Sequence, residues 1–231
     1  FSSGIGGFAL INNKNLIEPM MQMETSKLPV SFREKLNLKL LYVVRRYLLT
    51  NFTYFTFVRL YRWLSKHNMV VGSSSGEEIS SVKKPEYFFK NYSNVQAKEA
   101  LRNLKGFDDV ILKRKKNARI YTDFLSKTGK NHVSLDLFDD HAFLKYPLRV
   151  NDRDRFFHLA EKANIPLGDW FVSPLHPVEQ DMTPWYFDPN KYPVAVKMAE
   201  KVVNLPTDIQ HIDKVIQFLK NNIDLIEDVD E

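Results

Sequence analysis

No cysteine occurs among the 231 residues, which excludes disulfides, thiolate metal sites and cysteine nucleophiles together. That fits a reducing, cytoplasmic setting without requiring one. Glycine and proline are sparse, at 8 and 11 residues, too few for a collagen-like or low-complexity chain. Long apolar runs are missing too. The longest uncharged stretch in the apolar region, Tyr47 to Val58, falls well short of the ~18–20 residues that span a bilayer. His132, His141, His158 and His211 lack the H-x-x-x-H spacing of metal ligands, so no metal site is expected. No GKS/T follows Gly4-Ile5-Gly6-Gly7 and no G-x-G-x-x-G is complete, so these glycines read as a tight turn into a strand. An initial methionine is also missing. The chain opens on Phe1 and runs into Ser2-Ser3-Gly4, as if cut through the middle of a fold.

What is present is ordinary globular material, 44% hydrophobic and 26% charged, enough for one or two domains with buried cores. The formal charge is +5, but it is unevenly spread. Between Lys27 and Val71 nine Lys and Arg face Glu34 alone, a local +8, which leaves −3 for the remainder.

Phe8 to Ile11 reads as a short buried strand entering a turn at Asn12-Asn13. Leu16 to Met23 reads as a helix whose first turn holds Pro19. Leu36, Leu40, Val43 and Tyr47 recur at helical spacing, with Lys35, Lys39 and Arg46 on another side. From Asn51 to Leu64 strand and helix compete, with helix favoured, and Gly72 to Gly76 reads as a flexible break. The clearest expectation is a long helix from Val95 to Leu125, capped by Ser93 or Asn94 and weakened at Gly106. Beyond it, Phe143 to Val150 and Trp170 to Val172 read as strands. Arg153 to Ala163, Pro193 to Val203 and Gln210 to Ile223 read as helices. The tail from Asp224 to Glu231 carries five acids and is expected to fray. This order suggests a small α/β domain.

Four stretches together resemble the carboxy-terminal half of the DegT/DnrJ/EryC1/StrS aminotransferases, pyridoxal-phosphate enzymes of fold type I that mostly aminate nucleotide-linked keto-sugars. Gly4 to Asn13 is similar to the family's glycine-rich turn and strand after the Schiff-base lysine. Tyr92 to Ala97, Asn103-Leu104, Asp108, Arg114, Ala118 and Tyr121 are similar to its long helix with QA, QL, D, R and Y spacing. His141-Ala142-Phe143 through Arg149-Val150, then Ile165-Pro166, resemble a strand and loop of its small domain. Pro174-Leu175-His176, Pro193-Val194-Ala195 and Asn204 to Thr207 resemble its PLH loop, a helix start and a closing LP turn. The likeness covers the chain except roughly Lys27 to Lys84.

The resemblance implies a cofactor, pyridoxal phosphate, that works as an electron sink anchored by a lysine amine. By the family's spacing that lysine would stand just before Phe1, and no lysine in the chain, Lys14 and Lys27 included, takes its place. The chain alone is therefore expected not to transaminate. The family's N-Y-R motif at the helix entrance, which reaches a partner subunit's cofactor phosphate, falls on Phe89 and Asn91, and only Asn91 retains a hydrogen-bonding amide. His176, in the loop where the family places a histidine near the sugar, is the substrate-binding candidate. Its plainer reading is a surface histidine stiffened by Pro174 and Pro177. Trp170, Trp185 and Tyr186 could stack on a base or sugar, but core and loop packing is the preferred reading. Asp136, Asp139 and Asp140 read as a solvated loop.

The fold expected is thus α/β, the carboxy-terminal part of a fold type I transferase: the last strand of the large domain, a long interdomain helix and a small α/β domain. Its parts would be a large-domain remnant over 1–26, a basic aromatic insertion and linker over 27–84, the interdomain helix over 85–128 and the small domain over 129–231. A homodimer, a nucleotide-sugar and an amino-acid donor are the implied partners. The competing reading is a non-catalytic, degenerate member or interaction module whose basic segment, 27–71, contacts anionic membrane. Nucleic acid ranks last among the partners of that segment.

Overall fold

The computed structural model describes residues 7, 9–48, 53, 56, 57, 60, 82, 89–179 and 181–229. The expected break at Gly72 to Gly76 and most of the Asn51 to Leu64 stretch lie outside them. The chain divides into two units, Phe1–Phe107 and Asp108–Glu231, each described by itself below.

In the first unit, residues 7 and 9–13 form no strand, and Leu10 is 85% exposed. The apolar run suggested a buried strand, but a strand is stable only when a neighbour takes its backbone hydrogen bonds, and no described residue pairs with it. Asn13 instead accepts a hydrogen bond from the Asn15 N–H and opens a helical turn. Helix α1, Ile17–Thr25, follows with Pro19 in its first turn, where the missing N–H costs nothing. Helix α2, Phe32–Val43, begins with a reciprocal cap: the Ser31 hydroxyl takes the Glu34 N–H at 3.3 Å, and the Glu34 carboxylate takes the Ser31 N–H at 2.9 Å. It runs on through a wider turn, Val44–Leu48. Ser93 and Gln96 repeat the same device at the start of α3, Asn94–Leu104.

Helices α2 and α3 pack through Tyr42, which is buried, and through Arg46, whose guanidinium meets both carboxylate oxygens of Glu99 at 2.9 and 2.7 Å. Glu34 pairs with Lys90, and Leu28 bridges the backbone of Phe89 and Asn91 beside them. The stripe Leu36, Leu40, Val43 and Tyr47 is helical as expected, yet it faces outward, and each of these side chains is exposed. The stretch read as one helix from Val95 to Leu125 is divided at Lys105-Gly106. There a residue without a side chain weakens helical continuity.

The second unit begins with α4, Phe107–Lys127, which buries Ala118, Tyr121 and Leu125. Among the described residues its sheet has two strands, β1 (Tyr146–Arg149) and β2 (Val202–Leu205), antiparallel, with Tyr146 opposite Leu205 and Leu148 opposite Val203. All four of those side chains point into the core. Helix α5, Arg153–Lys162, adds Phe156 and Ala160. Helix α6, Pro193–Lys201, leads directly into β2. Helix α7, Ile212–Asn221, contributes Val215, Phe218 and Leu219 at the 3–4 spacing of one face. Phe156 and Phe218 meet edge to face, with ring centroids 5.1 Å apart.

Three expectations change here. The second strand is Val202–Leu205, not Trp170 to Val172, and it takes the last residues assigned to a helix. Two adjacent β-branched valines fit a pleated, buried edge better than a helix. In the 170s the Trp170 carbonyl is taken by the Asn204 amide and the Val172 N–H by His176 Nδ1, so side chains and not a neighbouring strand satisfy that backbone. The tail does not fray up to Val229. Ile226 is fully buried, Glu227 pairs with Arg149 at 3.2 Å and also with Lys201, and Asp228 pairs with Lys130 at 2.7 Å.

Parts of three resembling stretches meet in one clamp. From α4, Asn117 donates to the Thr207 and Ile209 carbonyls at 2.8 and 3.0 Å, and the Tyr121 hydroxyl donates to the Pro206 carbonyl at 2.8 Å. The Thr207 hydroxyl donates to the Phe143 carbonyl at 2.6 Å. The helix pattern, the segment ahead of β1 and the LP turn thus satisfy one another's buried polar groups, and the strand expected from Phe143 begins only at Tyr146.

Candidate substrate-binding site

The loop that carries the Pro-Leu-His sequence leaves α5 through Ile165-Pro166 and is fastened at its root. Gly168 and Asn204 exchange backbone hydrogen bonds of 2.8 and 3.0 Å, and the Asn204 amide donates to the Trp170 carbonyl. Gly168 is favoured by closeness. A Cβ there would lie 3.1 Å from the Asn204 Cβ and 3.5 Å from the Lys145 Cε. Arg153 adds the second fastening: its Nε donates to the Val202 carbonyl at 3.0 Å and one Nη to the Asp169 carbonyl at 2.9 Å, while its guanidinium lies 5.0 Å from the centroid of the Phe157 ring.

Within the loop, the His176 N–H bonds the Ser173 carbonyl and the Val178 N–H bonds the Leu175 carbonyl. The histidine Nδ1 accepts from the Val172 N–H at 3.3 Å. In the neutral ring this puts the proton on Nε2, the nitrogen left to donate to a ligand. Trp170 and Phe171 approach the ring at 6.1 and 6.0 Å and are themselves about half exposed. Of the core and loop packing expected for these rings, Trp170 shows the loop part, against His176; Trp185 is half-buried, and Tyr186, 95% exposed, lies outside the core. Ser173 is buried, and its hydroxyl has no hydrogen-bond partner.

Lys145 is not among the residues singled out from sequence, and Arg114 entered there only as the arginine of the long-helix motif, with no role at a site. The Lys145 ammonium lies beside the loop root, with Nζ 3.6 Å from the place a Gly168 side chain would occupy. Burial lowers its pKa below the ordinary lysine value, the nearby positive charge of Arg114 lowers it further, and Asp169 opposes both. Arg114 is largely buried, holds Asp208 only at 4.0 Å, and keeps a buried Nε–H with no acceptor. Two cations held in partial burial with donors to spare form a setting for an oxyanion. Lys145 sits one residue ahead of β1 in the run FLKYPL, a single lysine in a strand-like apolar run, so no local signal marks it.

The other residues weighed from sequence have local partners of their own. Asn91 belongs to the first unit, half-buried, its N–H bonded to the Leu28 carbonyl at 2.8 Å. His141 and His132 make local bonds, Nδ1 of His141 accepting from the Phe143 N–H and Nδ1 of His132 lying 2.9 Å from the Lys130 carbonyl. Asp136, Asp139 and Asp140 are exposed, as a solvated loop requires. Among the described residues no helix is long and apolar enough to cross a membrane.

Comparison with known proteins gives the likeness a scale. Among solved structures the chain is similar to an aminotransferase from Psychrobacter cryohalolentis, at 19% identity and a TM-score of 0.48, over 70% of this chain and 45% of that one. It is likewise similar to the sugar aminotransferase CalS13 from Micromonospora echinospora, at 22% identity and a TM-score of 0.43, over 71% of this chain and 43% of that one. The chain thus spans less than half the length of either. No curated protein matches it. The sequence model of the DegT/DnrJ/EryC1/StrS aminotransferase family matches residues 64–220, and by that extent the chain belongs to this family.

Proposed function

We propose that these residues form the carboxy-terminal part of a pyridoxal-phosphate-dependent aminotransferase that transfers an amino group from an amino-acid donor to a nucleotide-linked keto-sugar, working as a homodimer. The observation that carries the reading is the Pro-Leu-His loop: the family's PLH histidine, His176, is held through Nδ1 with Nε2 left as donor. In this role His176 donates to a sugar hydroxyl or phosphate oxygen. Lys145 and Arg114 supply positive charge toward the phosphates, and Trp170 offers a ring face to the sugar or base.

Bound pyridoxal phosphate would supply the electron sink for the amino-group transfer. The described residues do not by themselves make a cradle for it. Asn91 is one amide where the family motif has two polar groups, Phe89 stands at the other position, and no lysine of the chain holds the Schiff-base position. The role assigned to this chain is therefore on the sugar side. Incubation of the 231-residue chain with pyridoxal phosphate, followed by borohydride and peptide mapping, is expected to give no stoichiometric label at a single lysine, and glutamate with a keto-sugar is expected to give no amino-sugar. Saturable labelling of one lysine would overturn this division of roles.

A second reading, a non-catalytic member whose basic segment contacts anionic membrane, is favoured by one observation: the phenylalanine at position 89.

A further inference from the structure

Helix α2 has two apolar faces and only one of them is covered. Glu34, Leu38, Leu41 and Tyr42 form the side turned inward, with Tyr42 buried and Glu34 bound to Lys90. Half a turn away lie Phe32, Leu36, Leu40 and Val43, continued by Tyr47 in the following wide turn. They are 82, 55, 62, 48 and 67% exposed. Spacings of four, four, three and four residues make this one continuous stripe. Arg33 flanks it on one side and Lys35 and Lys39 on the other. None of the three makes an ion pair among the described residues.

From this we infer that the outer face of α2 docks on an anionic lipid bilayer, lying in the headgroup plane. Charge selects that occupant. The stretch from Lys27 to Val71 is +8, and its single acid, Glu34, is turned away and neutralised by Lys90. A second copy of the chain would set Arg33, Lys35 and Lys39 against their own like charges, which opposes pairing through this face. A nucleic acid would need cations at the centre of the footprint to meet its phosphates, and here the centre is five large apolar side chains. A bilayer fits both features. The apolar stripe enters the acyl boundary, and the flanking lysines and arginine keep their stems on it while their charges reach lipid phosphates. At 1.5 Å per residue the segment from Phe32 to Leu48 is about 25 Å long, a length that suits lying along a surface. The inference does not depend on the aminotransferase reading, and vesicle binding and transamination fail separately.

The test is co-sedimentation of the 231-residue chain with vesicles of phosphatidylcholine alone and of phosphatidylcholine with phosphatidylglycerol. The expected result is a partition at least about tenfold in favour of the phosphatidylglycerol vesicles at low salt, lost at high salt. Leu36→Asp with Leu40→Asp is expected to reduce it about tenfold or more, and Lys35→Ala with Lys39→Ala several-fold, with the melting temperature unchanged because all four sites are exposed. Should the double aspartate variant not fold, hydrogen exchange on the unaltered chain replaces it, with slowed exchange over 32–47 expected on anionic vesicles. Equal binding to both vesicles, no binding, or unaltered exchange over 32–47 would overturn the inference. So would concentration-dependent dimerisation that the double aspartate variant abolishes, since a second copy would then occupy the face.

Discussion

Arg153 joins three pieces of the small α/β unit that are distant in sequence: its own helix through Phe157, β2 through Val202 and the root of the histidine loop through Asp169. A charged donor to two carbonyls is worth more than a neutral one, and its loss leaves both acceptors without it. Arg153→Met is therefore expected to lower the stability of the chain by about 2–3 kcal/mol. It should also speed amide exchange across Gly168 to Val178 more than in α7. A melting curve with residue-resolved exchange checks this, and uniform loosening would argue against a local fastening. His176 could be found from sequence because Pro-Leu-His stands in order and spacing with the other family-like stretches. Arg153 and Lys145 could not. The first reads as the opening residue of a polar helix face. The second depends on Gly168, 23 positions later, for the close approach that half-buries its amine.

At the scale of elements, helices were legible where the chain carries local instructions. Ser31 and Glu34, like Ser93 and Gln96, write a capping box in four residues, and the 3–4 spacing of Val215, Phe218 and Leu219 writes a buried face. Ser31→Ala is expected to cost about 1 kcal/mol. The same cap carries a pH dependence. The hydrogen bond from Lys90, with those from Ser31, lowers the Glu34 pKa from 4.5 to about 2. A carboxylate with a depressed folded pKa stabilises above the unfolded value and loses that contribution as pH falls through the folded one. Helix α2 is thus expected to lose stability between about pH 4.5 and 2, modestly, since Glu34 is more than a third exposed. Circular dichroism across that range shows it, and Lys90→Ala shifts the loss to higher pH. Strands were harder to read. Val202–Leu205 follows Lys201 with no turn residue between, so only its partner Tyr146–Arg149 marks where the helix stops. The strand expected toward Ile11 is missing for the converse reason: Ala9 to Ile11 suit a strand, but none of the described residues pairs with them.

For the molecule as a whole, bulk charge concealed a division that position reveals. The basic excess lies on a segment whose exposed helix face suits an anionic surface, while the mildly acidic remainder holds a local pair of cations, Arg114 and Lys145, near the histidine loop. Part of the family motifs forms a polar clamp in the small α/β unit, where Tyr121, with Asn117 beside it, bonds the Pro206-Thr207 turn and Thr207 bonds the Phe143 carbonyl. That leaves His176, with Lys145 beside the loop root, as the residues proposed to meet a substrate. The central claim is that this loop binds the nucleotide-sugar, and the direct measurement is an NMR titration of the isotopically labelled chain with a uridine-diphosphate sugar. Saturable shifts are expected in Gly168 to Val178 and at the Lys145 side chain, with affinity falling about tenfold, or 1.4 kcal/mol, in His176→Ala. No saturable shifts, or shifts confined to residues outside this loop and unaffected by His176→Ala, would contradict the account.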